Sequence, residues 1–291
     1  MKIFITISVI ILVLIAGFIH TQKTTPNNSE VSNSEMELEE RPTVETVAEG
    51  IKRPHGIVVD NGVVYVSSEV DKALYKIKDG KSEKLADLNF THDSVGTRTG
   101  FITPVFYENR VVEVSFDGKV KDILKTGLSG PNGITASISN QRYFVTNYNS
   151  GSVISFNYYG SDLKVLANNL KGPAGVVFDP FSLKLYVANF LNGSVSVIRD
   201  KEREDIKYEG LKSIESLTFD HRYNDRNRLL ATAVKEGKGV IVELKEDGTY
   251  EILFTSDLPD PVVGYFAGPD VYLVSPNDSQ GRVLRVRLYW F

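Results

Sequence analysis

The stretch Gly172-Pro173-Ala174-Gly175-Val176-Val177-Phe178-Asp179, followed by Tyr186-Val187-Ala188-Asn189, is the clearest copy of a phrase of about forty residues that recurs six times between Thr43 and Phe291. Its other clear openings are Pro54-His55-Gly56 and Pro131-Asn132-Gly133, and the matching second strands are Val64-Tyr65-Val66 and Phe144-Val145-Thr146-Asn147. Each copy reads as a Pro-x-Gly turn, an apolar strand, a second strand rich in Tyr and Val, an amphipathic third strand, a turn and a charged fourth strand. One four-stranded sheet cannot bury both its faces alone, so similar sheets in series must stack on one another. A period near 42 residues therefore predicts an all-β, six-bladed β-propeller. A β-sandwich would not require six similar units, and no run carries a sustained helical period.

The weaker units emerge by alignment outward from the clear ones. Displacing the first unit by 38 residues sets Gly80 on Gly118 and His55 on Asp93. Ile214-Glu215-Ser216 then opens the fifth unit and Pro261-Val262-Val263-Gly264 the sixth, which shows only three strands before Phe291. The fourth is found at the other end of the chain. Thr43-Val44-Glu45-Thr46-Val47-Ala48 stands before Pro54 as Lys84-Leu85-Ala86-Asp87 stands before the second unit. It is expected to complete the last blade beside Val271 to Ser275 and Arg282 to Leu288, removing the open edges of the ring. Asp79-Gly80, Asp117-Gly118 and Asp247-Gly248 each fall between alternating runs, as tight hairpins require.

Composition narrows the function classes. The net charge is −4 with no basic cluster, which excludes a nucleic-acid footprint. Cysteine is absent, so disulfides, thiolate metal sites and a Cys nucleophile are excluded. Ile3 to Ile19 is apolar but for Thr6, Ser8 and Gly17 and follows Lys2, which predicts residues 1–20 as a membrane anchor or signal peptide. A poor cleavage context around Ala16 and Phe18 favours the uncleaved anchor, with the C-terminal domain outside the cytoplasm; cleavage would make the protein secreted. Residues 21–42, rich in Thr, Asn, Ser and Glu, read as a disordered polar tether, leaving 43–291 for the propeller. Sequons at Asn27, Asn89, Asn192 and Asn277 are compatible with export.

Chemistry is sought where the propeller's pseudo-symmetry points side chains at the axis. The position just before the first apolar strand holds His55, Asp93, Asn132, Ala174, Glu215 and Val262. Glu215, Asp93, Asn132 and His55 form a mixed nitrogen and oxygen set able to hold Ca²⁺ or another divalent cation. The alternative is that they cap strand ends around a watery channel. Asp93, Glu215 and His55 are also the candidates for moving a proton. Asn147 and Asn189, at the ends of second strands, either extend a ligand site or open Asx-type turns. His92 and His221 read as isolated loop or strand-end residues, and Ser94 lacks the G-x-S-x-G context of a nucleophile.

Gly130-Pro131-Asn132-Gly133-Ile134, the Gly172 to Asp179 stretch and the repeated Tyr-Val-x-Asn strands resemble the six-bladed superfamily of NHL-repeat and senescence-marker-protein/gluconolactonase-like proteins. Tyr186 to Asn189 with Gly193-Ser194-Val195-Ser196-Val197 also resembles surface propellers of the YVTN type, and Pro54-His55-Gly56 is similar to the repeat of streptogramin-lyase-like propellers. The lactonase resemblance implies a metal held by a Glu opening an inner strand, Asn residues and an Asp. Asn132 matches that pattern, Ala174 and His55 depart from it, and the order Glu215, Val262, His55, Asp93, Asn132 matches it in permuted form. Two functions follow as expectations. One is an exported, anchored module binding a protein, glycan or small ligand; the other is a Ca-type, metal-dependent lactonase, esterase-like hydrolase or lyase working at the channel mouth.

Overall fold

The computed structural model describes residues 41–200, 202–220 and 228–288. The anchor expectation, the tether expectation up to residue 40, and His221 lie outside them. No helix among the described residues is long and apolar enough to cross a membrane.

Six antiparallel sheets follow one another along the chain. In the first blade the inner strand Pro54–Asp60 is followed outward by Val63–Ser68, Ala73–Lys78 and Lys81–Asp87. The third and fourth blades repeat this order from Pro131–Ser137 and from Pro173–Phe178. In the sixth, Val263–Ala267, Asp270–Val274 and Val283–Arg287 are completed by Thr43–Ala48 as the outer strand. Thr43 pairs with Arg287 and Thr46 with Leu284, and Glu45 forms an ion pair with Arg285. The expected closure is therefore present. It also fixes a polarity: inner strands run away from the face carrying His55 and Glu215, so Thr43 enters the propeller at the opposite face.

Instead of one central core there are six apolar clusters, one between each pair of adjacent blades. Ile57, Val66, Tyr272 and Val274 join the first and last blades; Tyr186, Val195, Leu217 and Val242 join the fourth and fifth. Second and third strands carry these clusters on both faces, which is why Leu185–Asn189 is buried throughout. Outer strands such as Lys81–Asp87 have only one partner strand and remain charged and largely exposed.

Two readings of the repeat need correction. The Pro-x-Gly segments are not turns but the first residues of the inner strands, with a bulge between Pro54 and Ile57, Pro131 and Ile134, and Pro173 and Val176. Their glycines allow neighbouring inner strands to approach closely. A Cβ on Gly56, Gly133 or Gly175 would stand 2.3–2.4 Å from a backbone oxygen of the next blade. The second correction concerns the second blade. Val58 pairs with Tyr65, and Val95 with Ile102; Pro54 faces Ser68, and Thr91 bridges to Val105. The inner strands are thus offset by 37 residues, and the 38-residue displacement arose because the Asp117-Gly118 turn is one residue longer than the Asp79-Gly80 turn. His92, not Asp93, is the counterpart of His55.

Candidate functional site at the propeller mouth

Each residue of the axial layer is set by the backbone that follows it. Gly56 N–H donates to Ser67 Oγ at 2.9 Å, Gly133 N–H to Thr146 Oγ1 at 2.7 Å and Ser216 N–H to Thr232 Oγ1 at 3.2 Å. These hydroxyls occupy one repeat position in the second strands. Ser67 Oγ and Thr146 Oγ1 also donate across the blade boundary, to Thr91 O at 3.2 Å and Ala174 O at 2.6 Å. The result is a hydroxyl-to-backbone belt around the axis, fixing the side chain one residue earlier: His55, Asn132 or Glu215.

Three polar side chains form a chain within this layer. Asn132 Nδ2 lies 3.2 Å from His92 Nε2, and His92 Nδ1 lies 3.5 Å from Glu215 Oε1. With the Asn132 amide donating, His92 Nε2 is the acceptor and its proton sits on Nδ1, toward Glu215. His55 packs edge-on against His92, ring centroids 4.1 Å apart, and against Phe90 at 4.2 Å. His55 is 7 % exposed and its Nδ1 is buried without a hydrogen-bond partner.

Burial keeps this layer neutral. It pushes the Glu215 carboxyl up to about 8, with the Asp260 charge adding to the shift, and pushes the His92 imidazole down to about 3. His55 is held well below the usual histidine range by burial, by His92 and by Arg53. At neutral pH the layer is thus a protonated carboxyl among neutral imidazoles.

Above it stands an arc of aromatic rings. Phe90 contacts Phe106 at 5.3 Å and Tyr107 at 4.9 Å, Phe106 contacts Tyr148 at 6.0 Å, and Tyr148 contacts Phe190 at 6.1 Å. Tyr107 and Leu191 are more than half exposed and form its outer lip. Phe106, Tyr148 and Phe190 each follow a second strand and are spaced by 42 residues, a signal present in the repeat. Reading aromatics only within strands missed them.

Three of the four proposed metal ligands, Glu215, Asn132 and His55, share this layer with His92. Asp93 is one residue farther along its strand and lines a cavity of 590 Å³ on the other side of the layer. Burial and then the Glu215 charge push its carboxyl well above the usual range. Among the described residues, no group of three or more His, Asp or Glu side chains is arranged to hold a metal ion. Both His92 nitrogens already face layer partners, which leaves His55 as the imidazole without a hydrogen bond to a described residue, its Nδ1 buried. The residues as arranged do not fit a Ca²⁺ shell.

Asn147 and Asn189 are not placed to receive a ligand. Asn147 Oδ1 accepts from Ser129 N–H at 3.0 Å, while its Nδ2 donates to Gly127 O and Ser152 Oγ. Asn189 does the same with Lys171 N–H, Ser194 Oγ and Ser196 Oγ. Both tie the incoming loop to the second strand, as Ser68 Oγ does by donating to Lys52 O at 2.7 Å.

No protein-family model and no curated protein matches this chain. Solved structures do. A gluconolactonase from Xanthomonas campestris superposes with a TM-score of 0.69 at 15% identity, covering 84% of this chain and 89% of its own. Virginiamycin B lyase from Staphylococcus aureus gives 0.60 at 13% identity, covering 86% and 99%. A propeller from a nidogen/laminin complex gives 0.57 at 19% identity, covering 70% and 80%. At these identities the likeness shows the six-bladed fold that enzymes and a protein-binding propeller share.

Proposed function

We propose that this protein is an exported, membrane-anchored propeller that binds a ring-shaped ligand carrying a hydroxyl at the mouth. The observation supporting this reading most directly is the His55 imidazole beneath the aromatic arc, neither of whose nitrogens has a hydrogen-bond partner among the described residues. A buried nitrogen without a partner is costly, by about 1–3 kcal/mol. A ligand hydroxyl meeting Nε2, the nitrogen of that ring not sealed from solvent, would give the ring a partner, while the ligand's apolar ring packs under Phe106, Tyr148 and Phe190. Anchoring rests on Ile3 to Ile19 and is tested by carbonate extraction, with the protein expected in the membrane pellet. Ligand binding is tested by saturation-transfer NMR with a panel of phenols and methyl glycosides. At least one member is expected to bind the wild type and to lose binding in Phe106→Ala; a panel with no binder would leave only a protein-docking role for the rim.

A second reading rests on Glu215 and His92. A carboxyl that burial raises to about 8 can give up and take back a proton near neutral pH, and His92 Nδ1–H, facing it at 3.5 Å, would hold it in position. Hydrolysis of glucono-1,5-lactone above background, abolished in Glu215→Gln, would establish it. Under the binding reading no such hydrolysis is expected, and Ca²⁺ leaves the melting temperature unchanged.

A further inference from the structure

The 590 Å³ cavity lies on the far side of the axial layer from the mouth, along the inner strands of the second to sixth blades. It extends toward the face where Gly96 and Ile138 are exposed. Its walls are mixed but more apolar than polar, with Ile134, Val176, Leu217 and Phe266 beside Thr135, Thr218 and Tyr265, and its volume is that of a small-molecule site. Among the described lining residues Asp93 is the only carboxylate, and there is no Lys or Arg. Ser216 and Gly264 complete the layer end of the cavity around it.

Asp93 is held in place through its backbone, its carbonyl accepting from Thr103 Oγ1 at 3.3 Å, while its carboxyl takes no hydrogen bond from a described residue. Thr97, just past the short strand Val95–Gly96, also lines the cavity, and its Oγ1 is buried without a partner. Asp93 thus stands at the layer end of the cavity as a carboxyl without a hydrogen-bond donor among the described residues. Glu215 adds negative potential at the layer end when ionised, and no lining cation offsets it.

We infer that this channel is a second binding site, independent of the mouth, for an elongated organic cation: an ammonium head on the Asp93 carboxylate, with an apolar body against Ile134, Val176, Leu217 and Phe266. An ammonium supplies the donors the carboxyl lacks and offsets its charge in a shielded setting, where an ion pair is far stronger than in water. Bulk and sign both discriminate: a carboxylate would meet Asp93 as a like charge, and a neutral alcohol would leave the carboxyl without its charge partner.

The test is calorimetric titration of the full chain at pH 8 with hexylamine, 1-hexanol and hexanoate, three probes of one length. Hexylamine is expected to bind at least ten-fold more tightly than 1-hexanol, with hexanoate weaker still. Asp93→Asn should erase the preference for the amine, and Phe106→Ala, on the mouth side, should retain it. Equal affinities, no binding by hexylamine, or an unchanged preference in Asp93→Asn would overturn the proposal. Loss of the preference in Phe106→Ala would place the amine in the mouth and overturn it equally. The probe series needs no variant, so a variant that misfolds does not shelter the inference.

Discussion

Glu215 and His92 face each other at 3.5 Å with burial opposing charge on both, and this gives the fold a definite pH response. Between the ordinary glutamate value and about pH 8, folded Glu215 keeps a proton that the unfolded chain has released. Stability therefore falls as pH rises through that window, by up to one proton's worth of slope. His92 acts in the opposite range: the unfolded chain takes up a proton below about 6.5 that the folded imidazole refuses down to about 3, so stability also falls on acidification. Urea unfolding of Glu215→Gln between pH 5 and 8 should show a flatter profile than the wild type, with its largest relative gain at pH 8. Parallel profiles would mean that Glu215 is ionised in the fold. At this scale the residue types of the layer could be read from the repeat, because Pro54-His55-Gly56 and Pro131-Asn132-Gly133 announce their register. His92 could not, because Thr91-His92-Asp93 lacks both the Pro and the Gly, and the only fixed points, the hairpin glycines, differ by one residue in loop length.

Among the elements, the inner strands carry the tightest constraint. Gly133 and Gly175 lie where adjacent blades nearly touch, with Ala174 O and Glu215 O at 2.3 Å from the position a Cβ would occupy. Because that oxygen belongs to backbone, it cannot swing away, and Gly175 N–H also donates to Glu215 O at 2.7 Å. Gly133→Ala or Gly175→Ala should therefore cost on the order of 1–3 kcal/mol in chemical denaturation. Gly62→Ala provides a comparison by a different route: no atom lies within 4 Å of its Cβ position, so its cost comes only from a φ of 78°. A Gly133→Ala variant as stable as the wild type would show that the blades can separate freely at the axis. The sequence marks these glycines plainly, but their purpose is a contact between strands about forty residues apart, which no local turn rule supplies.

For the whole molecule, closure is the decisive feature. Thr43–Ala48 supplies the fourth strand of the last blade, and Gly50 N–H and Ile51 N–H bond to Gln280 O and Gly281 O, so both ends of the described chain are locked in one sheet. A chain lacking residues 1–40 should melt with the full-length protein. One lacking residues 1–50 should melt at a clearly lower temperature, since it exposes an unpaired edge and uncovers part of the cluster around Ala48 and Ile51. Equal melting temperatures would sink the closure argument. What the sequence determined by itself was the number of blades, their strand order and the donor of the closing strand, because repeat period and alternation are local properties that each unit states for itself. Only the tertiary structure decided which residues meet on the axis, that His92 joins Asn132 to Glu215, that Phe106, Tyr148 and Phe190 form one arc, and that Asp93 faces a separate channel. Those contacts depend on strand register and on packing between blades, and a shift of one residue turns a side chain from one side of the axial layer to the other.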